Sequence, residues 1–184
     1  MIEARDSYVA GDPKSRARDL EAMFADPEVD VVQCLTGGFG SMQLVPHLDF
    51  GLIADHPKAF CGYSDITALH VALRQRAGLA TLYGPHLMTM GWTAASDFTR
   101  KRLVAVLAGG DMERCDWSEQ RPEWPRTKSL EQVLEEHLEP LGVPVLYKLP
   151  VGHGKHLATL PLGVTATLDA DARTLTVDRP ALRP

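Results

Sequence analysis

A serine at the end of a glycine-rich turn is the first residue of this sequence equipped for covalent chemistry. Ser41 closes the run Thr36-Gly37-Gly38-Phe39-Gly40-Ser41. A serine placed where a strand gives way to a helix is surrounded by outward-pointing backbone N–H groups, which suit an oxyanion. Gly37, Gly38 and Gly40 permit a sharp turn and close backbone approach to a ligand, and the N–H of Met42, next after the serine, is the first candidate oxyanion donor. The same residue in the same place also serves as a plain helix N-cap, so the local sequence leaves both roles open. The turn has neither the G-x-S-x-G pattern of a nucleophile elbow nor the lysine of a phosphate-binding loop, and phosphate or nucleotide binding at Thr36 to Ser41 is the weaker reading.

A serine hydroxyl needs a base before it attacks anything. His153, in Pro150-Val151-Gly152-His153-Gly154, follows an expected strand and is flanked by glycines that leave its ring accessible. It is the candidate base for Ser41, with an ordinary surface histidine as the alternative. His156 competes for the role, and the two histidines make a weak metal pair because no third ligand cluster accompanies them. Gly62-Tyr63-Ser64-Asp65 stands at a second strand-to-helix junction, so Tyr63, Ser64 and Asp65 are candidates to face a substrate, with helix capping as the competing role. His70 is expected to be a hydrogen-bonded core histidine and Cys34 a buried strand residue rather than a nucleophile. Trp117 and Trp124 either stack on a ligand or pack against the body of the fold.

The elements that must position these residues alternate. Asp12-Pro13 starts an amphipathic helix that stops near Asp26-Pro27, with Ala17, Leu20 and Phe24 on one face. Val29 to Leu35 reads as a buried strand, a helix follows from Ser41 with a kink or restart at Pro46, and Ala59 to Tyr63 is a second strand. A helix with Ile66, Leu69 and Leu73 inward ends at Gly78, and Leu79 to Tyr83 is a third strand. Strands alternating with helices imply a parallel sheet layered by helices, with the loops after its strands gathered on one edge. Helices are expected at Asp97–Ala108 and Ser129–Glu139, a strand at Val143–Tyr147, and a β-hairpin at Val164–Leu168 and Thr174–Val177. The fold class is therefore α/β. A Rossmann-like part over 1–110 carries Ser41, 111–128 forms a linker or long loop, and a smaller part over 129–184 carries His153.

Bulk properties narrow the partners. The 184 residues are 45% hydrophobic and 23% charged, the composition of an ordinary folded domain. A net charge of −5 offers no general attraction to nucleic acid or anionic lipid. Three cysteines in no paired spacing fit a reducing compartment, and no stretch is long and apolar enough to span a bilayer, so a cytoplasmic location is expected.

Several stretches occur together in the order and near-spacing of one family: Phe24 to Asp30, Gly37-Gly38-Phe39-Gly40-Ser41, Leu44 to Asp49, Gly62 to His70, Tyr83-Gly84-Pro85, then Gly142 to Leu146, Gly152-His153-Gly154 and Thr159 to Gly163. With these the sequence resembles the serine LD-carboxypeptidases, a family that includes microcin-immunity peptidases. The resemblance implies a Ser-His-Glu hydrolase that releases a terminal D-amino acid from murein-derived peptides in cell-wall recycling, with no metal or organic cofactor. By that resemblance Ser41 aligns with the nucleophile and His153 with the base, and the glycine-turn amides hold the oxyanion; with the junction residues named above, Gly37, Gly38, Phe39, Met42, Tyr63, Ser64 and Asp65 are expected to hold oxyanion or substrate. The partner is a peptide, with a homodimer left open and neither nucleic acid nor membrane expected.

Two departures accompany the resemblance. Members begin with a further strand and helix, and they carry a glycine-asparagine segment and a strand ending in the triad acid. Asp111, Glu113, Asp116, Glu119 and Glu123 occupy that interval here in no matching motif, so no triad acid is assigned. The competing expectation is a peptide-binding relic, or an incomplete fragment with an open sheet edge.

Overall fold

The computed structural model describes residues 9–91, 95–109, 130–147 and 149–178. Helix α1 (Pro13–Ala25) starts at Asp12, whose carboxylate accepts the N–H groups of Lys14 and Ser15 at 3.0 and 3.1 Å. Proline at its first position gives up no hydrogen bond there, because that N–H has no intrahelical partner. Strand β1 (Val31–Gln33), a 3-10 turn (Ser41–His47) and helix α2 (Phe50–Asp55) follow. Strand β2 (Ala59–Gly62) leads through a second 3-10 turn (Ser64–Ile66) into helix α3 (Thr67–Ala72), which widens into a π-type turn (Leu73–Ala77) and stops at left-handed Gly78. Then come β3 (Thr81–Tyr83), α4 (Leu87–Gly91) and α5 (Asp97–Leu107), and farther along α6 (Leu130–Leu138), β4 (Leu160–Leu162), β5 (Ala166–Asp169) and β6 (Thr174–Val177).

The main sheet has the order β1-β2-β3-β4. The first three strands are parallel, with Val32 opposite Phe60 and Cys61 opposite Leu82; β4 closes the sheet antiparallel, with Pro161 opposite Leu82. Proline lacks a ladder donor and is tolerated because β4 is an edge strand. Strands β5 and β6 form the expected hairpin.

Every residue of β2 is buried, and its side chains alternate between two layers. Phe60 enters the layer of α1, α2 and α3, stacked on Phe24 at 6.3 Å and meeting His70 edge-on at 5.5 Å. Ala59 and Cys61 face the opposite layer with Leu82, Leu103 and Val106 of α5. His70 sits inside the first layer, its Nδ1 on the Thr81 hydroxyl at 2.9 Å and its Nε2 on the Gly62 carbonyl at 3.0 Å. Burial holds its pKa below the usual histidine value, so it is a neutral structural group at the end of β2.

One expected element is absent. Residues 143–147 form no strand; Pro144 has no N–H for a ladder, and the segment instead lines a largely apolar cavity of about 350 Å³ with Leu134 and Leu138 of α6. The fourth strand comes from Leu160–Leu162 instead. The linker expected at 111–128, with Trp117, Trp124 and its carboxylates, lies outside the described residues. No helix among the described residues is long and apolar enough to cross a membrane.

Candidate active site

The sharpest backbone feature of the sheet edge lies where β2 ends. Tyr63 is extended, and Ser64 then takes φ +62°, one of two non-glycine residues at positive φ among the described residues. A serine in that left-handed region carries roughly 1–2 kcal/mol of strain, which its surroundings must hold. The Thr67 hydroxyl donates to the Ser64 carbonyl at 2.6 Å, and the Ile66 N–H donates to the Tyr63 carbonyl at 3.3 Å. Gly62 is needed for the chain to fold back this tightly, since a Cβ there would stand 2.8 Å from Ile66 Cγ2. Neither Ser64 nor Asp65 caps the following helix, so both side chains are free for other partners. This is the strained strand-to-helix turn that lifts a serine hydroxyl clear of a sheet.

His153 meets that hydroxyl. Its Nε2 lies 3.1 Å from Ser64 Oγ, and its ring rests 5.2 Å from the Tyr63 ring. The loop that carries it is closed by the Ala158 N–H on the Pro150 carbonyl at 2.6 Å. It is pinned to α5 by the Leu157 N–H on Thr99 Oγ1 at 3.1 Å and to the residue before α5 by His156 Nδ1 on Ser96 Oγ at 3.0 Å. His156 is thus a loop anchor and Ser64 the partner of His153. No carboxylate hydrogen-bonds the second nitrogen of His153 among the described residues.

The expectation that His153 pairs with Ser41 is corrected here. Ser41 is 7% exposed and makes no hydrogen bond to His153; its N–H donates to Asp65 Oδ2 at 2.9 Å. Gly40 is the residue before the 3-10 turn, so Ser41 is not its side-chain cap either. The physical reason is placement: Ser41 is buried at the start of the 3-10 turn, while Ser64, half-buried at φ +62°, brings its hydroxyl to His153. The N–H of Met42 follows Ser41, whereas the N–H next after Ser64, the hydroxyl that His153 meets, is that of Asp65. Met42 and Phe39 are 72% and 79% exposed.

Gly37 lies close to Ser64, and Gly38 follows it in the turn. A Cβ on Gly37 would lie 3.3 Å from Ser64 Cβ, and Gly38, at φ +110°, opens onto free space. Asp65 therefore joins two loops, carrying Ser64 on its own chain and holding the end of the glycine turn through Ser41. Arg16 secures the same turn from α1, with Nη1 on the Gly40 carbonyl at 3.3 Å and Nη2 on Gln43 Oε1 at 2.8 Å.

His86 is a site residue that sequence reasoning passed over. It is 5% exposed, its ring lies 4.2 Å from that of Tyr63, and its Nε2 contacts the Tyr63 carbonyl at 2.9 Å. Burial depresses its pKa, opposed by that carbonyl and reinforced by His153 nearby, so the ring stays neutral and supports the residue before Ser64. Its signal was its place directly after Tyr83-Gly84-Pro85, the third strand-to-helix junction on this edge. Cys34 and Cys61 are free thiols, each pushed up to about 12 chiefly by burial, so neither offers a thiolate.

A cavity of about 490 Å³ opens beside His153, lined by Tyr63, Thr89, Ala95, Thr99, Gly152, His153, Gly154, Lys155 and Leu157. A hydroxyl on a strained turn, an imidazole on it, glycine backbone against it and an adjacent cavity are the parts of an acyl-transfer site.

Comparison with known proteins points to one family. Residues 1–84 match the LD-carboxypeptidase N-terminal domain and residues 92–168 the LD-carboxypeptidase C-terminal domain. A Streptomyces coelicolor protein named "putative carboxypeptidase" is 32% identical over 252 residues, which takes in 95% of this chain and 80% of the relative. That aligned span exceeds the 184 residues of the chain, so the relative contains an internal stretch with no counterpart here. The murein tetrapeptide carboxypeptidase of Pseudomonas aeruginosa is 41% identical over 121 residues, covering 61% of this chain and 39% of that protein. The chain likewise spans only 28% and 34% of two Bacillus subtilis relatives. In fold the chain is similar to a muramoyltetrapeptide carboxypeptidase from Oxalobacter formigenes, with a TM-score of 0.81 at 20% identity over 97% of this chain and 89% of the other.

Proposed function

Because the chain belongs to the LD-carboxypeptidase family, we propose that it hydrolyses the bond before a terminal D-amino acid of murein-derived peptides, with Ser64 as nucleophile and His153 as base. The observation that carries this reading is the contact of Ser64 Oγ with His153 Nε2 at 3.1 Å, on a strained backbone at φ +62°.

In the reaction His153 Nε2 takes the hydroxyl proton as Ser64 Oγ bonds to the scissile carbonyl carbon. The carbonyl oxygen becomes an oxyanion, held by amide groups of the Gly37-Gly38 turn and of Asp65. His153 returns the proton to the departing amine as the C–N bond breaks, leaving an ester on Ser64. Water, deprotonated by the same imidazole, then attacks that ester, and His153 returns the proton to Ser64 Oγ as the ester C–O bond breaks, releasing the shortened peptide acid. The two free thiols fit a reducing compartment, so the reading puts the reaction in the cytoplasm.

A second reading, binding without appreciable turnover, is favoured by the lack of a carboxylate on His153 among the described residues. An imidazole without its orienting acid loses about four orders of magnitude in turnover in serine proteases. The deciding experiment is release of D-alanine from a murein tetrapeptide by the parent, Ser64→Ala and Ser41→Ala proteins. The proposal expects activity in the parent and in Ser41→Ala, with Ser64→Ala reduced on the order of 10³-fold or more. Full activity in Ser64→Ala rejects it, and binding with no release in the parent selects the second reading.

A further inference from the structure

Among the described residues the cavity beside His153 is lined by one formal charge, that of Lys155, and its position bears on which peptide bonds are cut. In the reaction above, the imidazole that takes the Ser64 proton must also reach the leaving nitrogen. The departing residue therefore lies on the His153 side of Ser64, and the acyl part lies toward the glycine turn. The cavity is on the departing side, lined by Tyr63, Thr89, Thr99, Gly152, His153 and Lys155 among others. No carboxylate lines it, and Lys155 has no hydrogen bond or ion pair among the described residues.

A carboxy-terminal residue brings an anion to this place. Its carboxylate carbon stands two covalent bonds from the leaving nitrogen, about 2.5 Å away, so the group must sit close to His153. Lys155 is two residues from His153 on the same loop and has a flexible four-carbon stem and three donors to turn toward it. An internal peptide bond would bring an uncharged amide to the same spot and leave the ammonium without a partner.

We propose that Lys155 is the specificity-determining residue that selects carboxy-terminal bonds, pairing with the α-carboxylate of the departing residue in the cavity beside His153. This rests on the assignment of Ser64 and His153 above. Being exposed and unpartnered in the described structure, Lys155 can be replaced without disturbing the fold.

The test measures binding of a murein tetrapeptide as free acid and as C-terminal amide to Ser64→Ala protein, with Lys155 kept, changed to Ala or changed to Arg. The expected result is a loss on the order of tenfold in affinity for the acid in Lys155→Ala, little change for the amide, and recovery of the acid preference in Lys155→Arg. An unchanged ratio of acid to amide affinity in Lys155→Ala, or no measurable binding of the acid to the protein with Lys155 intact, overturns the proposal. Undiminished turnover in Ser64→Ala would instead overturn the nucleophile assignment, while the binding ratios would still judge Lys155 directly.

Discussion

Asp65 accepts the N–H of Ser41 at 2.9 Å, and by that one bond the strained turn bearing Ser64 is tied to the end of the glycine turn that approaches it. Two loops from different strand-to-helix junctions are thereby held in register. The carboxylate does structurally what the sequence alone made look like helix capping.

Removing that tie is expected to loosen the site more than the fold. A hydrogen bond to a charged acceptor contributes roughly 1.5–3 kcal/mol, so Asp65→Ala should cost about that much in denaturant unfolding. Turnover should fall by at least tenfold, with Asp65→Asn intermediate because its amide oxygen still accepts. Unchanged stability and rate in Asp65→Ala would show that the bond does not position the turns.

Gly37→Ala tests the packing of the glycine turn on the site. The new methyl would stand 2.8 Å from His86 Cε1 and 3.3 Å from Ser64 Cβ, and His86 is enclosed, so it cannot simply swing away. The expected outcome is a lowered kcat together with a lowered melting temperature, since the buried His86 ring and the turn bearing Ser64 must both give way. A variant with parental kcat would remove Gly37 from the site.

Buried neutral histidines fix the sign of the pH dependence. Burial lowers the pKa of both His70 and His86 from the model-compound value of 6.5. The unfolded chain therefore binds protons at these positions at a higher pH than the folded chain does. Their contribution to stability is fully present above about pH 6.5 and is lost as pH falls through the depressed folded values. Melting temperature should drop between about pH 7.5 and pH 5, and the drop should be smaller in His70→Gln or His86→Gln. Melting temperatures independent of pH over that range, or parallel curves in the variants, would contradict this.

Much of the frame could be read from residue types in order. Asp12-Pro13 starts α1 as its capping chemistry requires, the apolar run at 59–62 is the central strand, and Gly78 stops the helix after it. Val143–Tyr147 has the apolar, β-branched composition of a strand, but Pro144 lacks the ladder N–H and the segment pairs with no strand among the described residues. Candidate site residues could be named, but not paired. Ser41 and Ser64 both follow strands and both precede helical turns, and only their tertiary placement separates them: Ser41 is buried after Gly40, and Ser64, at positive φ, meets His153. No local pattern announces a serine in the left-handed region, because that conformation is imposed by packing around Gly62, Ile66 and Thr67. His86 has no local signature beyond its place directly after Pro85, and only the fold brings its ring against Tyr63.

Covalent labelling tests the central claim most directly. A serine-directed fluorophosphonate should attach to the hydroxyl that His153 activates, and peptide mapping by mass spectrometry identifies the residue that carries the adduct. The account predicts the adduct on Ser64, lost in Ser64→Ala, slowed in His153→Ala and retained in Ser41→Ala. An adduct on Ser41, or labelling of Ser64→Ala at the parental rate, would contradict it.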